Sequence, residues 1–210
     1  MHEHVNDPYV QRAQKDGYRA RAAYKLLEIN EKDKLIKSGT LLADLGSAPG
    51  SWSQVAAKLA GTQGSVFALD ILPMHPIDGV RFIQGDFREE SVLAEFEQLL
   101  DGRALDLVIC DIAPNMAGNS TIDQARSYYL CELALDFARN HLKTGGSFLV
   151  KVFQGAGYQE YLAAMRTHPA AAIERKPVAA KELPFEFMMN ALRLHEGVPS
   201  AFLPERTGIS

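Results

Sequence analysis

The sequence lacks the features that mark membrane-spanning, secreted and metal-binding proteins. No apolar run approaches the roughly 20 residues that span a bilayer, and the opening MHEHVNDPYV shows no signal-peptide pattern. Only two cysteines occur, Cys110 and Cys131, and neither belongs to a CxxC pair, which disfavours a disulfide framework or a zinc site. We therefore expect a cytoplasmic protein with no membrane partner and no bound metal.

A general excess of positive charge is also missing. The formal net charge is −4, so nucleic acid could bind only through a local basic patch. The chain has 210 residues, of which 47% are hydrophobic and 23% charged, as in ordinary globular proteins. This length suits one domain with a sizeable core, and we expect a monomer.

Short apolar runs rich in β-branched residues alternate with longer helical patterns. Candidate strands cover residues 41–46, 65–70, 80–86, 105–111 and 147–153, and candidate helices cover 51–60, 91–100, about 123–143 and 158–168. Nearly continuous apolar strands separated by helices indicate a parallel sheet that is covered on both faces. The sequence thus predicts the α/β class, with a doubly wound, mostly parallel sheet whose ligands bind at the carboxyl ends of the strands.

Four aspartates fall at or near the ends of the first four candidate strands. They are Asp44, Asp70, Asp86 and Asp111. Any one of them could be only a helix cap or a turn former. Together they would line one rim of the sheet, where a cluster of carboxylates needs hydroxyls, amines or a cation to offset its repulsion.

The loop after the first strand reads DLGSAPG and is rich in small residues. It differs from the GxGxxG fingerprint of nicotinamide-binding proteins, and Asp44 would repel a pyrophosphate. Asp70 stands where a ribose-binding acid is expected, and Asp86 could accept a hydrogen bond from an adenine amino group. A cofactor with adenosine and a cationic sulfonium fits this pattern best, which predicts S-adenosylmethionine. Asp44 would then bind the cofactor by favouring its cationic end, and Gly46 and Gly50 would allow close approach of the backbone. A turn with small residues for packing and a nicotinamide-dependent oxidoreductase remain the alternatives.

Several long motifs in register resemble one family. DLGSAPGSWSQV, ALDILPMHPIDGVRFIQGDFR, DLVICDIAPNMAGN and GGSFLVKVFQGAGYQEYL are similar to the FtsJ/RlmE family of ribosomal RNA large-subunit 2′-O-methyltransferases, and DPYVQRAQKDGYRARAAYKLLEIN extends the likeness towards the N-terminus. The resemblance runs from about residue 4 to residue 177. It implies a Rossmann-like methyltransferase domain over residues 1–177 that uses S-adenosylmethionine to methylate a uridine ribose in 23S rRNA of the large ribosomal subunit.

The resemblance also implies roles for individual residues. Cofactor contacts would come from Gly50, Trp52, Asp70, Asp86 and Asp111. Lys151 would be the catalytic lysine, supported by Lys25 and Asp111. A lysine serves as a base for a ribose hydroxyl only if its pKa falls from about 10.4, through burial or a nearby cation. The alternative for Lys151 is a lysine on an edge strand whose ammonium extends into solvent.

The N-terminal region offers a candidate RNA-binding surface. A helix predicted over residues 9–30 is locally basic, and its candidate phosphate-binding residues are Arg12, Lys15, Arg19 and Arg21. Tyr18 and Tyr24 could stack on bases, although one of them is better suited to core packing. A solvated helix face is the alternative for the whole segment.

The C-terminal tail, residues 178–210, departs from the family pattern. It contains no Ser/Arg-rich stretch and no closing β-hairpin pattern, and Glu186 has no clear role. FEFMMNALRLHEGVP predicts a partly helical tail and weakly resembles the end of HemW/HemN-type proteins. Such a tail would leave one sheet edge unpaired, so a catalytically impaired RNA-binding or ribosome-assembly factor that keeps the fold is the alternative function.

Overall fold

The computed structural model describes residues 8–112, 120–153, 158–166, 170–175 and 187–194. Strands and helices alternate along much of this part of the chain, but two helices come first and two pairs of strands follow each other directly. The helices are α1 (Pro8–Lys15), α2 (Ala22–Asp33), α3 (Ser51–Ala60), α4 (Glu90–Leu100), α5 (Ser120–His141) and α6 (Tyr158–Arg166). The strands are β1 (Leu41–Leu45), β2 (Ser65–Asp70), β3 (Val80–Gln84), β4 (Leu105–Cys110), β5 (Leu142–Phe153), β6 (Ala170–Arg175) and β7 (Phe187–Leu194).

The described strands form one sheet in the order β3-β2-β1-β4-β5-β7-β6. The pairs from β3 to β5 are parallel, and β7 is antiparallel to both β5 and β6. The chain winds outward from β1 to β3 and then returns to place β4 on the other side of β1. The connections after β1 and β4 therefore leave the same rim in opposite directions and open a crevice there. The five predicted strands and the doubly wound class are confirmed.

Two apolar clusters cover the two faces of the sheet. Successive residues of β1 show why, since Leu42 belongs to one cluster and Ala43 to the other. One cluster joins the sheet to α4 and α5 through Phe67, Phe96 and other buried side chains, with the Phe67 and Phe96 rings edge to face at 5.7 Å. The other cluster packs α2 and α3 against the opposite face. This two-sided burial is what the nearly continuous apolar strands predict.

The prediction of a single helix over residues 9–30 is wrong, because the structure has two helices there, α1 and α2. Gly17 takes a φ of +76° after α1, and the Tyr18 N–H bonds back to the Ala13 carbonyl at 2.8 Å. A left-handed glycine of this kind ends a helix because no side chain opposes the conformation. The basic residues of this region are consequently divided between α1, the turn and the start of α2.

The prediction of a partly helical tail is wrong for the part of the tail that the structure describes. Residues 187–194 form β7, which pairs with β5 over residues 187–193 and with β6 on its other side. A short apolar run is compatible with either a helix or a strand. The open edge of β5 decides between them because its backbone groups gain hydrogen-bond partners. Glu186 lies outside the described residues.

Candidate active site

Three of the four predicted aspartates line a cleft at the carboxyl ends of the parallel strands. Asp70 ends β2, Asp86 follows β3 and Asp111 follows β4, and all three border a cleft of about 460 Å³. The remaining wall residues are small or apolar, apart from one arginine: Gly46, Ala48, Leu69, Ile71, Leu72, Gly85, Phe87, Arg88, Ile112 and Leu130. Carboxylates on apolar walls suit a small ligand that has both a flat apolar part and hydrogen-bond donors.

The Asp70 carboxylate ties together two walls of the cleft. One oxygen accepts a hydrogen bond from Ala48 N, in the loop after β1, at 2.8 Å, and the other accepts from Leu72 N at 2.8 Å. Each oxygen has a second lone pair that a ligand hydroxyl can reach. Asp70 therefore orders the loop and still presents acceptors to the cleft.

Asp86 is paired with Arg88, a residue that the sequence did not single out. The Arg88 Nε lies 2.8 Å from both carboxylate oxygens, and its Nη2 contacts one of them. The hydrogen bonds from Arg88 hold the pKa of Asp86 below its ordinary value. The sequence signal for this pair was the arginine two residues after the strand-end acid, in GDFR. The sequence does not show that Arg88 bonds with Asp86, because that depends on the conformation of the turn between them.

Two buried lysines share the Asp111 carboxylate. The Nζ of Lys25, on α2, lies 3.2 Å from both carboxylate oxygens of Asp111. The Nζ of Lys151, on β5, lies 2.9 Å from Oδ1 of the same carboxylate. Lys151 Nζ also donates to the Asp111 carbonyl oxygen at 2.7 Å. Lys25 is 8% exposed and Lys151 7%, and β5 is flanked by β4 and β7. The alternative of an edge-strand lysine reaching into solvent is therefore wrong.

The environment of this cluster shifts the pKa of Lys25 and the pKa of Asp111. Burial lowers the pKa of Lys25 below its ordinary value, and the charge of Lys151 lowers it further, against the opposing effect of Asp111. Burial alone would raise the pKa of Asp111, but the charges and hydrogen bonds of Lys151 and Lys25 hold it below its ordinary value. Asp111 is thus a carboxylate at neutral pH and offsets the repulsion between two ammonium groups.

Asp44, the fourth aspartate, lies under the rim and away from the cleft walls. It is 1% exposed and accepts a hydrogen bond from the Ser53 hydroxyl at 2.6 Å. Burial raises its pKa to about 7, although the Ser53 hydrogen bond opposes this shift. Asp44 thus ties β1 to α3. The sequence does not reveal this contact, because the first turn of α3 is what brings Ser53 to Asp44.

The glycines and tryptophan of the loop after β1 differ in position. Gly46 lines the cleft, and a Cβ there would lie 2.0 Å from the Ile112 Cγ1. Gly50 is buried, and Trp52 is 2% exposed, with its indole N–H donating to the Ala22 carbonyl at 2.8 Å. Neither Gly50 nor Trp52 is among the residues that border the cleft. Their side of the loop faces α2 and the connection between β2 and β3.

The four predicted phosphate-binding residues do not form one open stripe. Lys15 is exposed, Arg21 is half-buried at the start of α2, and Arg12 stacks over the Tyr24 ring while pairing with Asp16 at 3.5 Å. The Arg19 guanidinium instead donates to backbone carbonyls.

The two predicted stacking tyrosines have different surroundings. Tyr24 is a core residue, 7% exposed, whose hydroxyl donates to Asp16 at 2.7 Å. Burial, together with that hydrogen bond, raises its pKa to about 12. Tyr18 is half-buried and meets the Tyr24 ring edge-on, with the centroids 5.8 Å apart. Tyr18 therefore keeps an accessible part, whereas Tyr24 packs as the sequence led us to expect of one of the pair.

The family model of the FtsJ-like methyltransferases matches residues 18–186, which include every cleft residue and both lysines. The chain belongs to the FtsJ-like methyltransferase family. The nicotinamide-dependent alternative is thereby set aside, and the predicted Rossmann-like methyltransferase class is confirmed.

Curated relatives of this methyltransferase are similar along most of its length. A protein of Neisseria meningitidis serogroup C named ribosomal RNA large subunit methyltransferase E is 78% identical over 181 residues, covering 86% of this chain and 88% of that protein. A protein of the same name from Chromobacterium violaceum is 72% identical over 182 residues, covering 87% and 89%.

Solved structures share the fold of this methyltransferase. A Plasmodium falciparum protein assigned to the ribosomal RNA methyltransferases superposes with a TM-score of 0.73 at 26% identity, covering 84% of this chain and 97% of that protein. An S-adenosylmethionine-dependent O-methyltransferase of Thermotoga maritima superposes with a TM-score of 0.53 at 18% identity, covering 81% and 64%. The second likeness concerns the fold alone.

The described part of the methyltransferase has neither a metal-binding cluster nor a membrane-spanning helix. No three histidine, cysteine or acidic side chains come together there in a way that could hold a metal ion. Among the same residues, no helix combines the length and the apolar character that crossing a membrane requires.

Proposed function

We propose that this methyltransferase uses S-adenosylmethionine to methylate the 2′-hydroxyl of a uridine in 23S rRNA of the large ribosomal subunit. The observation that carries the proposal is the buried Lys25–Asp111–Lys151 cluster at the edge of the aspartate-lined cleft. The name of the curated relatives, ribosomal RNA large subunit methyltransferase E, supports the RNA substrate. The uridine follows from the motif resemblance.

The cleft suits the parts of S-adenosylmethionine. Its volume of about 460 Å³ falls within the roughly 300–1,000 Å³ of small-molecule sites. Asp70 offers acceptors for the ribose hydroxyls, and Asp86 offers one for the adenine amino group, with Ile71, Leu72 and Phe87 as apolar neighbours. Asp111 borders the cleft as well, beside the lysine cluster, and its charge is shared with Lys25 and Lys151. Asp44 is buried and does not border the cleft, so we assign it no contact with the sulfonium.

The lysines and Asp111 supply the proton chemistry. S-adenosylmethionine, when bound, would supply an electrophilic methyl group and leave as S-adenosylhomocysteine, and the ribose hydroxyl must lose its proton as its oxygen attacks. We assign acceptance of that proton to Lys151 Nζ in its neutral amine form, reached after the loss of a proton to solvent, which Asp111 would hold through both its carboxylate and its carbonyl oxygen. Lys25 would supply a buried positive charge, which favours the developing alkoxide. A base positioned in this way contributes about 10²- to 10⁴-fold to a rate.

RNA phosphates would bind at the N-terminal region despite the acidic net charge. Lys15 and Arg12 lie on α1, and Arg21 precedes the helix that carries Lys25. The charge of Arg21 acts on Lys25, so a phosphate held at Arg21 would lie close to the lysine cluster. Tyr18 keeps an accessible part in the same region and could stack on a base.

The proposal is tested by mapping ribose methylation on large-subunit RNA. Isolated large subunits and naked transcript are incubated with labelled S-adenosylmethionine and protein, and the modified nucleotide is located by mass spectrometry. We expect one uridine to gain a 2′-O-methyl group, and we expect Lys151→Ala to slow methylation by about 10²- to 10⁴-fold.

Lys143→Ala is the matched control. Lys143 lies at the opposite end of the same strand, is exposed, and pairs with Asp106. Its replacement should leave the methylation rate unchanged. Methylation of a base, a wild-type rate in Lys151→Ala, or RNA binding without any methyl transfer would each contradict the proposal. The last result would support the assembly-factor alternative.

A further inference from the structure

Arg19 reaches from the turn before α2 to two connections at the carboxyl rim of the sheet. Its Nη1 donates to the Pro49 carbonyl at 2.9 Å and to the His75 carbonyl at 2.8 Å, and its Nη2 donates to the Pro76 carbonyl at 2.8 Å. Pro49 belongs to the loop after β1, whereas His75 and Pro76 belong to the connection between β2 and β3. One guanidinium therefore joins three segments that are far apart in sequence.

The backbone of Arg19 is fixed as well. Arg19 N donates to the Gln54 side-chain oxygen at 2.9 Å, and Gln54 Nε2 donates to the Gly17 carbonyl at 3.1 Å. Gln54 lies on α3, the helix that follows the loop after β1. The turn that carries Arg19 is thus held to α3 independently of the guanidinium contacts.

Gly50 is the point where these segments meet. It has a φ of +106°, and a Cβ there would lie 2.8 Å from Arg19 Nη1, 2.8 Å from the Met74 sulfur and 2.7 Å from Ile77 Cδ1. A side chain at this position would push the three segments apart. The glycine is needed for packing between protein segments, in addition to its left-handed conformation.

The connections that Arg19 joins also build the cleft. Gly46 and Ala48 come from the loop after β1, and Ile71 and Leu72 come from the connection after β2. Asp70 links the same two connections through hydrogen bonds from Ala48 N and Leu72 N. Asp70 acts on the cleft side, and Arg19 acts on the side away from the cleft.

We propose that Arg19 is a positioning residue for cofactor binding, which holds the two connections at the spacing that S-adenosylmethionine requires and ties them to the helix that carries Lys25. This inference rests on the proposed function for the identity of the cofactor. It replaces the role of phosphate ligand that the sequence predicts for Arg19. A guanidinium suits the task because its N–H groups diverge in one plane, whereas an ammonium cannot span the three carbonyls in the same way.

The test compares Arg19→Lys and Arg19→Gln with wild type and with Lys37→Gln. Lys37→Gln removes one positive charge at an exposed position between α2 and β1 and is the matched control. The dissociation constant of S-adenosylmethionine is measured by calorimetry in the absence of RNA, and kcat and KM are measured with RNA. We expect both Arg19 variants to weaken cofactor binding by about 5- to 150-fold, the usual range of coupling between sites. We expect KM for the cofactor to rise in parallel, kcat at saturating cofactor to stay at the wild-type value, and Lys37→Gln to bind cofactor normally.

A phosphate-binding role would give a different result. Loss of one phosphate contact lowers the slope of log affinity against log salt for RNA by about 0.7 to 0.9. An Arg19→Gln variant with that smaller slope and normal cofactor affinity would overturn the proposal. Equal weakening of cofactor binding by Lys37→Gln would overturn it too, as would Arg19 variants that lose thermal stability with unchanged cofactor affinity.

A fallback variant and one further measurement keep the test decisive. If Arg19→Gln does not fold, Arg19→Lys, which keeps the charge, carries the comparison. Amide hydrogen exchange of residues 71–79 without cofactor should speed up in either variant. Unchanged exchange would contradict the positioning role of Arg19. Wild-type protein that binds cofactor but methylates no RNA would overturn the proposed function and leave the Arg19 comparison intact.

Discussion

At the scale of single residues, Asp111 brings the cofactor cleft and the lysine cluster together. It follows β4 directly, so its side chain borders the cleft while its carbonyl oxygen meets Lys151. Its carboxylate is the partner of two ammonium groups, each less than a tenth exposed. Burial of two like charges is tolerated only because a third group of opposite charge lies between them.

Replacing Asp111 by asparagine removes that compensating charge. We expect Asp111→Asn to lower the free energy of unfolding by about 3–5 kcal/mol at pH 7, the usual cost of leaving buried charges unpaired. Without Asp111 the pKa of Lys25 falls further, so the ammonium is lost at a lower pH in the folded variant. The stability difference from wild type should therefore shrink between pH 7 and pH 9. Urea denaturation across this range measures it, and a constant difference would contradict the electrostatic account.

At the scale of secondary-structure elements, one side chain fixes the passage from α2 to β1. Asn30 is buried and bonds with both backbone groups of Ile36, accepting from Ile36 N at 2.7 Å and donating to the Ile36 carbonyl at 3.3 Å. Ile36 itself is 3% exposed within the apolar cluster on that face. This local ring of hydrogen bonds ties the end of α2 to a residue of the apolar cluster that packs α2 against the sheet.

Asn30→Ala should destabilise the fold and displace α2. It leaves the N–H and carbonyl of Ile36 without these partners in a buried position, which costs about 1–3 kcal/mol. For a chain of this size, each kcal/mol lowers Tm by about 2–4 °C. Glu31→Ala, at the exposed neighbouring position, is the control and should leave Tm unchanged. Calorimetric scans compare the two, and equal Tm values for both variants would exclude the proposed role of Asn30.

At the scale of the whole molecule, the buried carboxyl of Asp44 makes stability depend on pH. Its pKa is about 7 in the folded protein and about 3.8 ordinarily, because burial disfavours the charged form. The folded state therefore holds more protons than the unfolded state between pH 4 and pH 7. The contribution of this group to stability is fully present below about pH 4, declines as pH rises, and is lost above about pH 7.

Asp44→Asn should remove this part of the pH dependence. The amide stays neutral, so the stability of the variant relative to wild type should improve as pH rises from 5 to 8. Guanidinium denaturation of both proteins across this range measures the change. Asp101→Asn, at an exposed position after α4, is the control and should track wild type at every pH. A variant whose deficit stays constant would show that Asp44 is charged in both states.

The sequence by itself determined the five parallel strands, the small-residue loop, the aspartates at the strand ends and Lys151 inside β5. These features follow from local periodicity and turn chemistry, which depend on neighbouring residues. The long motifs identified the protein family. Tertiary structure alone decided that Asp44 lies beneath the cleft that the other three aspartates border, that residues 187–194 form a strand, and that Arg19 bonds with carbonyls at least 30 residues away. The physical reason is that desolvation and long-range hydrogen bonding depend on which segments meet in space, and local pattern carries little information about that.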